Sequence, residues 1–419
     1  MRAPAGLLVV LLCSGCLGDT APGQEPEEPA GPAVAADLVL TSVAQVTGLQ
    51  AREPALEEAP DGTLYVAGYQ YGRLHRVGPT WALEPDLRTP PPLWRSTDGG
   101  ASWSLVDVGT PVDGAIGNSD VDLAMAPDGT LYMAVMSFGY VGHSIAVGAS
   151  TDGAGSWSWT LLSAQPGADR PWVEVAPDGR VHVVWNDGAL VHHASSTDRG
   201  ATWTEGPIVH RRGGTGMLAV APDGTLAVRI IPGSGSGYTK WSGEDGVAVS
   251  TDRGATWTFR PLPGTRVYGQ FIVGDTGDGT PRWADPLAFD AAGTLYAAWT
   301  EGGRLLLARS GDLGVAWDVV ELVGAAEGTA FYPHLRAAPE PGTLALTWFA
   351  RSADLTAHVG LVTDADGGAP SVRATSFLPP TGGDTGGEYF PAILLRDGAL
   401  GIAVPIQGDD PGFAYLRAH

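Results

Sequence analysis

Lysine is nearly missing from this chain of 419 residues: Lys240 stands alone against 23 arginines. The arginines are dispersed, and Asp plus Glu outnumber all basic residues by 46 to 24, a formal charge of −22. A phosphate backbone is gripped by clustered Lys and Arg, so nucleic acid is not an expected partner. Cysteine is almost as scarce. Cys13 and Cys16 are the only two, and both lie at the start. The rest of the chain therefore has no disulfide and no thiol nucleophile, and its stability must come from packing. No stretch reads as a long amphipathic helix. No Ser/His/Asp nucleophile arrangement, phosphate loop or zinc pattern stands out. His192 and His193 fall in an expected strand, so their side chains face opposite ways and cannot share a metal. The segment Gly274-Asp275-Thr-Gly-Asp278-Gly has a calcium-loop composition, but such Gly/Asp loops are common. No metal and no cofactor is assigned.

What is abundant is turn punctuation. Glycine numbers 60 and proline 33, more than a fifth of the chain, beside 14 tryptophans. Many short strands joined by turns fit this composition, as in a sandwich, a barrel or a propeller. The N-terminus reads differently. Met1-Arg2 is followed by a short apolar run, Ala5 to Leu12, and then Cys13-Ser14-Gly15-Cys16. The run is too short to cross a bilayer as a mature helix and has the shape of a secretory signal. Ser14-Gly15 before Cys16 resembles a bacterial lipobox, which implies cleavage at residue 15 and acylation of Cys16. Cys13 stands where Leu is usual. Residues 16–35, rich in Pro, Gly, Glu and Ala, read as a disordered tether. Residues 36–419 are left as one folded domain. The expected location is the bacterial cell envelope, at the outer membrane or cell surface with lipid as the only membrane contact, the alternative being secretion, and the expected state is a monomer.

Self-similarity organises that domain. Ser-x-Asp-x-Gly-x-x-Trp recurs with Asp98, Asp198, Asp252 and Asp312, and an imperfect copy around Asp152 carries Ala154 at the Gly position. A worn remnant sits at Thr363–Gly367. The pattern is that of a hairpin turn: the carboxylate accepts the N–H groups that follow it, and Gly takes a positive φ. The Trp then buries its ring on the next sheet. These Asp are structural. A second element, Ala-Pro-Asp-Gly-Thr-Leu-Tyr-Val-Ala, recurs seven times in stronger and weaker forms, with turns at 61, 128, 178, 223, 292, 341 and 397. Each reads as strand, Asp-Gly turn, strand. The spacing fits an all-β fold: one β-propeller of four-stranded antiparallel blades, seven in number, with six the alternative. Residues 36–48 offer a strand to complete the last blade and close the ring.

Asp boxes of this kind resemble those of the sialidase (BNR-repeat) superfamily of propellers. The resemblance covers most of residues 50–370. It implies the fold strongly and the activity less, since such boxes also occur in propellers that only bind. Arg52-Glu53-Pro54-Ala55-Leu56 before Asp61-Gly62 is similar to the Arg-Ile-Pro motif of that family, with Glu53 where Ile is usual. The resemblance would make Arg52 the first of three arginines holding a sugar carboxylate, a task suited to the planar guanidinium. Arg73 and Asp86 follow in the loop 69–92, where the family places another arginine and its acid/base Asp. By position in the repeat, Arg170 and Arg282 are further clamp candidates. Glu388-Tyr389 and Tyr332 are candidates for the Tyr nucleophile and its Glu partner.

The repeat also gives a direction. Asp-Gly hairpins and Asp boxes turn at the same end of every blade, the bottom. The long, variable connections lie at the top, where function is usually carried. Around the channel mouth the inner strands begin with Arg52, Asp120, Asp169, Arg170, Asp285, Tyr332, His334, Glu388 and Tyr389. A polar ligand needs such a ring. Alternatively, these groups pair with one another and plug the channel. Two functions remain open: recognition of a glycan or surface protein through this top face, or exo-acting glycoside hydrolysis of sialidase type. The irregular Arg motif and the seventh blade favour recognition.

Overall fold

A computed structural model describes residues 34–35, 38–70, 74–77, 80–83, 89–139, 142–187, 190–211, 214–231, 245–263, 284–325, 328–367, 369–381, 383 and 385–419. The strands form seven four-stranded antiparallel blades. Their first strands are Arg52–Glu58, Val121–Met125, Ala168–Val175, Gly214–Val220, Leu287–Phe289, Thr329–Ala337 and Ala392–Leu394. Each packs on the first strand of the next blade, and the seventh on the first, so these strands ring the axis. No helix is present among the described residues.

Closure comes from the N-terminal side. Blade 7 supplies Ala392–Leu394, Leu400–Ile406 and Gly412–Ala418, and Leu40–Thr47 pairs antiparallel with Gly412–Ala418 as its outer strand. A ring closed by both chain ends has no seam to open at a blade boundary. Val34–Ala35, at the end of the expected tether, pairs in parallel with Ser371–Phe377, the outer strand of blade 6. An outer strand presents unpaired backbone groups, and a passing extended segment satisfies some of them.

The two repeated turns are built as their chemistry requires. In the Asp-Gly hairpins the Asp carboxylate accepts the N–H two residues on, at 2.9 Å from Thr63 to Asp61 and 2.8 Å from Thr225 to Asp223. The following Gly62 and Gly224 lie at φ 85° and 86°, where a side chain is strained. In the Asp box of blade 3, Ser196 donates to Asp198 at 2.7 Å, and Asp198 accepts the N–H and the hydroxyl of Thr202 at 2.9 and 2.5 Å. The Ser196 hydroxyl in turn accepts the Gly200 N–H at 2.9 Å. The Thr202 hydroxyl and N–H hold the exposed Asp198 carboxyl down at about 2. Asp98, Asp152 and Asp252 are equally low for the same reason. Asp312 is lowered by the Ala316 N–H and Ser310, since Ala316 has no hydroxyl to add.

Each box turn docks on the blade before it. Gly100 packs on Tyr415 of blade 7, Gly200 on Ala149 of blade 2 and Gly254 on His193 of blade 3. The interior is a series of apolar layers between blades. One of them joins Trp348, Leu346 and Leu335 of blade 6 to Leu305, Leu307 and Tyr296 of blade 5, all essentially inaccessible to water.

Candidate functional site

Because strands alternate side chains, the residues nearest the start of each inner strand crowd the top mouth of the channel. Four inner strands carry a bulge at the same place, three of them with a side chain in the left-handed position: between Arg52 and Ala55, Asp169 and Trp172, and Phe331 and His334. The bulged residues are Glu53, Arg170 and Tyr332, at φ 43°, 56° and 52°. Each precedes a proline (Pro54, Pro171, Pro333). Left-handed backbone is costly for a residue with a side chain, of order 1–3 kcal/mol. Proline further narrows the choices of its predecessor. Blade 4 has Gly216 in the equivalent bulge, between Thr215 and Leu218.

Arg170 lies across the channel to blade 7 and forms a two-pronged pair with Glu388, at 3.0 and 2.9 Å. Glu388 in turn donates its N–H to Glu53 at 3.0 Å. Asp120 and Asp169 lie close enough to act on Arg170 through their charges, and Arg52 acts on Glu53 and Glu388. The phenol of Tyr69 is hydrogen-bonded to Arg52. Among the described residues the mouth thus gathers four carboxylates against two guanidiniums. Burial, with Asp120 beside it, pushes Asp169 up to about 8. Burial, Glu388 and Asp120 push Glu53 well above the usual carboxylate range.

Below the mouth the channel is filled in two further layers. Trp172 of blade 3 meets Tyr389 of blade 7 with ring centroids 5.8 Å apart, and His334 of blade 6 stacks on Tyr389 at 5.4 Å. Burial together with the Glu53 charge raises the Tyr389 phenol well above its ordinary value. A phenol so held keeps its proton at neutral pH. Next, Arg336 of blade 6 pairs with Glu57 of blade 1 and, at 3.3 Å, with Glu174 of blade 3. Burial raises Glu174 to about 8 and the nearby Asp122 to about 7. Beneath this layer a cavity of about 620 Å³ opens at the bottom, lined by Phe289, Pro177, Pro222 and Pro339 with Arg336 and Arg396. Its Glu58 and Asp290 are already engaged, by the Arg396 N–H at 2.9 Å and by Tyr296 at 3.0 Å.

Of the residues singled out by sequence, the structure brings Arg52, Arg170, Glu388, Asp120 and Asp169 together, with Tyr389 and His334 just beneath. Tyr332 occupies the equivalent bulge of blade 6 and lies edge-on to Phe331 at 5.3 Å. Asp285 is consumed elsewhere: it and Asp245 enclose the fully buried Arg229, at 2.9 and 2.6 Å. Arg73, Asp86 and Arg282, and the Gly274–Gly279 segment, lie outside the described residues. His192 and His193 do face opposite ways: His192 stacks on Trp185, and His193 is buried against Trp257. Glu53 was missed as a rim group, and Tyr69 was expected only as a recognition residue of the top loop 69–92. Glu53 was legible, because X-Pro recurs at that place in Glu53-Pro54, Arg170-Pro171, Asp285-Pro286 and Tyr332-Pro333.

No family profile matches the chain, and no curated protein matches it by sequence. Solved structures do. An α-L-arabinofuranosidase of Fusarium graminearum, solved with arabinobiose, is similar at a TM-score of 0.51 and 13% identity, over 91% of this chain and 98% of its own. An α-L-arabinanase of Penicillium chrysogenum, also with arabinobiose, has a TM-score of 0.50 and 14% identity, over 90% and 98%. Virginiamycin B lyase of Staphylococcus aureus has 0.51 and 10%, over 91% and 99%. At such identities the likeness is one of fold.

Proposed function

We propose that this propeller recognises a glycan at the top mouth of its channel, displayed at the bacterial cell envelope by the lipid on Cys16. The observation that carries this reading is the strained rim. Glu53 and Arg170 are held left-handed before prolines, at a cost in stability, and their side chains meet Glu388 at one spot. Strained residues of this kind cluster at binding and active sites. Fold neighbours seen with arabinobiose support a sugar in this architecture, as does the resemblance of the boxes and of Arg52 to sialidases. The test is calorimetric titration of the full chain with a panel of neutral, acidic and amino oligosaccharides. Binding that is lost in Arg170→Ala, with the melting curve still cooperative, is the expected result. A chain that binds no member of the panel overturns the reading.

One observation favours hydrolysis as a second reading. Burial, with Asp120 beside it, pushes Asp169 up to about 8, the direction a general acid needs near neutrality, on the rim of the channel mouth. Release of fluorophore from aryl sialosides or arabinofuranosides, lost in Asp169→Asn and reduced in Arg52→Ala, would support it. No release from either sinks it and leaves binding untouched.

A further inference from the structure

We propose that the cavity at the bottom of the channel is a second binding site, and that its ligand is a free α-amino acid with a large apolar side chain. The site is separate from the top mouth, because the Tyr389 and Arg336 layers fill the channel between the two. The repeat itself singles the site out. In each inner hairpin, the residue whose N–H closes the turn is followed by one at the bottom lip. That lip residue is Pro or Ala in six blades, at positions 60, 127, 177, 222, 291 and 339, and Arg396 in blade 7. The residue before the closing one is apolar in six blades, Val220 and Phe289 among them, and Glu58 in blade 1. A repeat explains what the blades share; a departure from it needs another reason. Blades 7 and 1 adjoin, so Arg396 and Glu58 stand at one corner of an otherwise largely apolar wall.

The departures differ in what they touch. Asp290 is a third, at the closing position of blade 5, and the fold consumes it. Ala292 and Thr294 donate their N–H groups to one oxygen at 3.0 and 2.9 Å, and Tyr296 and Gly342 donate to the other, both at 3.0 Å. Glu58 spends one oxygen, on the Arg396 N–H at 2.9 Å. The turn does not require that bond, since Ala291 presents the same N–H with no side-chain partner among the described residues. The other Glu58 oxygen and the exposed Arg396 guanidinium bond to nothing among the described residues, and they do not pair with each other. Asp61 feels the Arg396 charge, but its carboxylate is engaged by the Thr63 N–H. One anion and one cation, adjacent and uncommitted, are complementary to a zwitterion. An amino acid carries its ammonium and carboxylate on one carbon. A fatty acid would leave Glu58 unanswered, and an alkylammonium would leave Arg396. The cavity of about 620 Å³ has room for the side chain. Its half-buried Val175, Val220, Ala337 and Leu394 are stabilised when that side chain displaces water from them.

The experiment titrates the full chain with three probes that share one phenyl body: phenylalanine, 3-phenylpropionate, which lacks the ammonium, and phenethylamine, which lacks the carboxylate. Phenylalanine should bind about fivefold tighter than either, as a partly exposed ion pair allows. Glu58→Gln should remove its advantage over phenylpropionate. Arg396→Pro, which restores the residue of the repeat, should remove its advantage over phenethylamine. Ala337→Leu, which narrows the cavity from its wall, should weaken all three. The probe comparison is made on the unaltered chain, so a variant that folds poorly does not decide the matter. Binding of none of the probes, or phenylalanine no tighter than either single-charge probe, overturns the proposal. So does an advantage that survives both charge variants, or binding indifferent to Ala337→Leu. Each of these outcomes leaves the glycan reading of the top mouth standing.

Discussion

Every described non-glycine residue with left-handed backbone falls in one of two places. Ala154, Arg199, Arg253, Leu313 and Asp364 sit in the Asp-box turns or their remnant, and Glu53, Arg170 and Tyr332 sit on the channel rim. The strain is the same; its surroundings are not. In a box the turn is cross-braced by Ser and Asp and pressed onto the preceding blade, so the backbone cost is returned as packing and hydrogen bonds. On the rim it aims charged side chains at one another across a channel. One kind of strain serves the fold; the other, on the reading proposed above, serves a site.

The largest effect should come from a box. Gly254 lies at φ 89°, and a Cβ there would meet His193 Cε1 at 2.2 Å. His193 is buried and pinned by His182 and Trp257, so it cannot give way. Gly254→Ala should cost about 3 kcal/mol, from overpacking added to backbone strain. Gly62→Ala, in open space at φ 85°, carries the backbone cost alone, about 1 kcal/mol. Chemical denaturation of both checks this. Equal costs would show that the box glycine is chosen for its φ and not for docking.

That contrast also explains what was legible in the sequence. The seven hairpins, the five boxes and the closing strand are local patterns. Asp61-Gly62 specifies its own turn, and residues 40–47 set half-buried Leu40, Val43 and Val46 beside exposed Thr41, Ser42, Gln45 and Thr47. The rim is not local. Arg170 and Glu388 are 218 residues apart, and only the completed ring of seven blades sets them face to face. Asp285 shows the same limit. It stands at a strand start like Asp169, yet buried Arg229 from blade 4 claims it, and nothing near either residue in the chain announces that pairing.

Acidity should separate buried histidines from channel carboxylates by sign. His182 and His193 share a hydrogen bond of 3.0 Å beside the blade 4 box, and burial holds them at about 3 and about 4. They are neutral when folded and take up protons when unfolded. Their contribution is therefore complete above an unfolded value of about 6.5 and is lost as pH falls toward 4, by about 1.4 kcal/mol per pH unit for each ring. The channel carboxylates run the other way. Asp169 and Glu174 sit near 8 and Asp122 near 7. Their contribution is complete below an unfolded value of about 4 and declines as pH rises to 8. Between about 4 and 6.5 the two limbs run in opposite directions and offset one another, so stability measured across pH 3–9 should change least there, falling above 6.5 through the carboxylates and below 4 through His182. His182→Leu should flatten the acid limb only. An acid limb unchanged in that variant would remove the histidine pair from the account.

The smallest effect is the most discriminating. Glu53→Gly and Arg253→Gly each relieve a left-handed residue, at φ 43° and 61°. At Arg253 the relief is offset by the greater freedom of glycine in the unfolded chain and by loss of an exposed pair with Asp178 at 3.1 Å. The net change should stay within about 0.5 kcal/mol, and glycan binding should be unaffected. At Glu53 the same relief comes with removal of a buried carboxyl from an acid-rich cluster, against loss of one acceptor for the Glu388 N–H. There the protein should gain about 1 kcal/mol and lose its ligand. A more stable protein that no longer binds is the mark of strain kept for function. If Glu53→Gly is instead destabilised as a box variant is, the rim belongs to the scaffold, and the two kinds of strain are one.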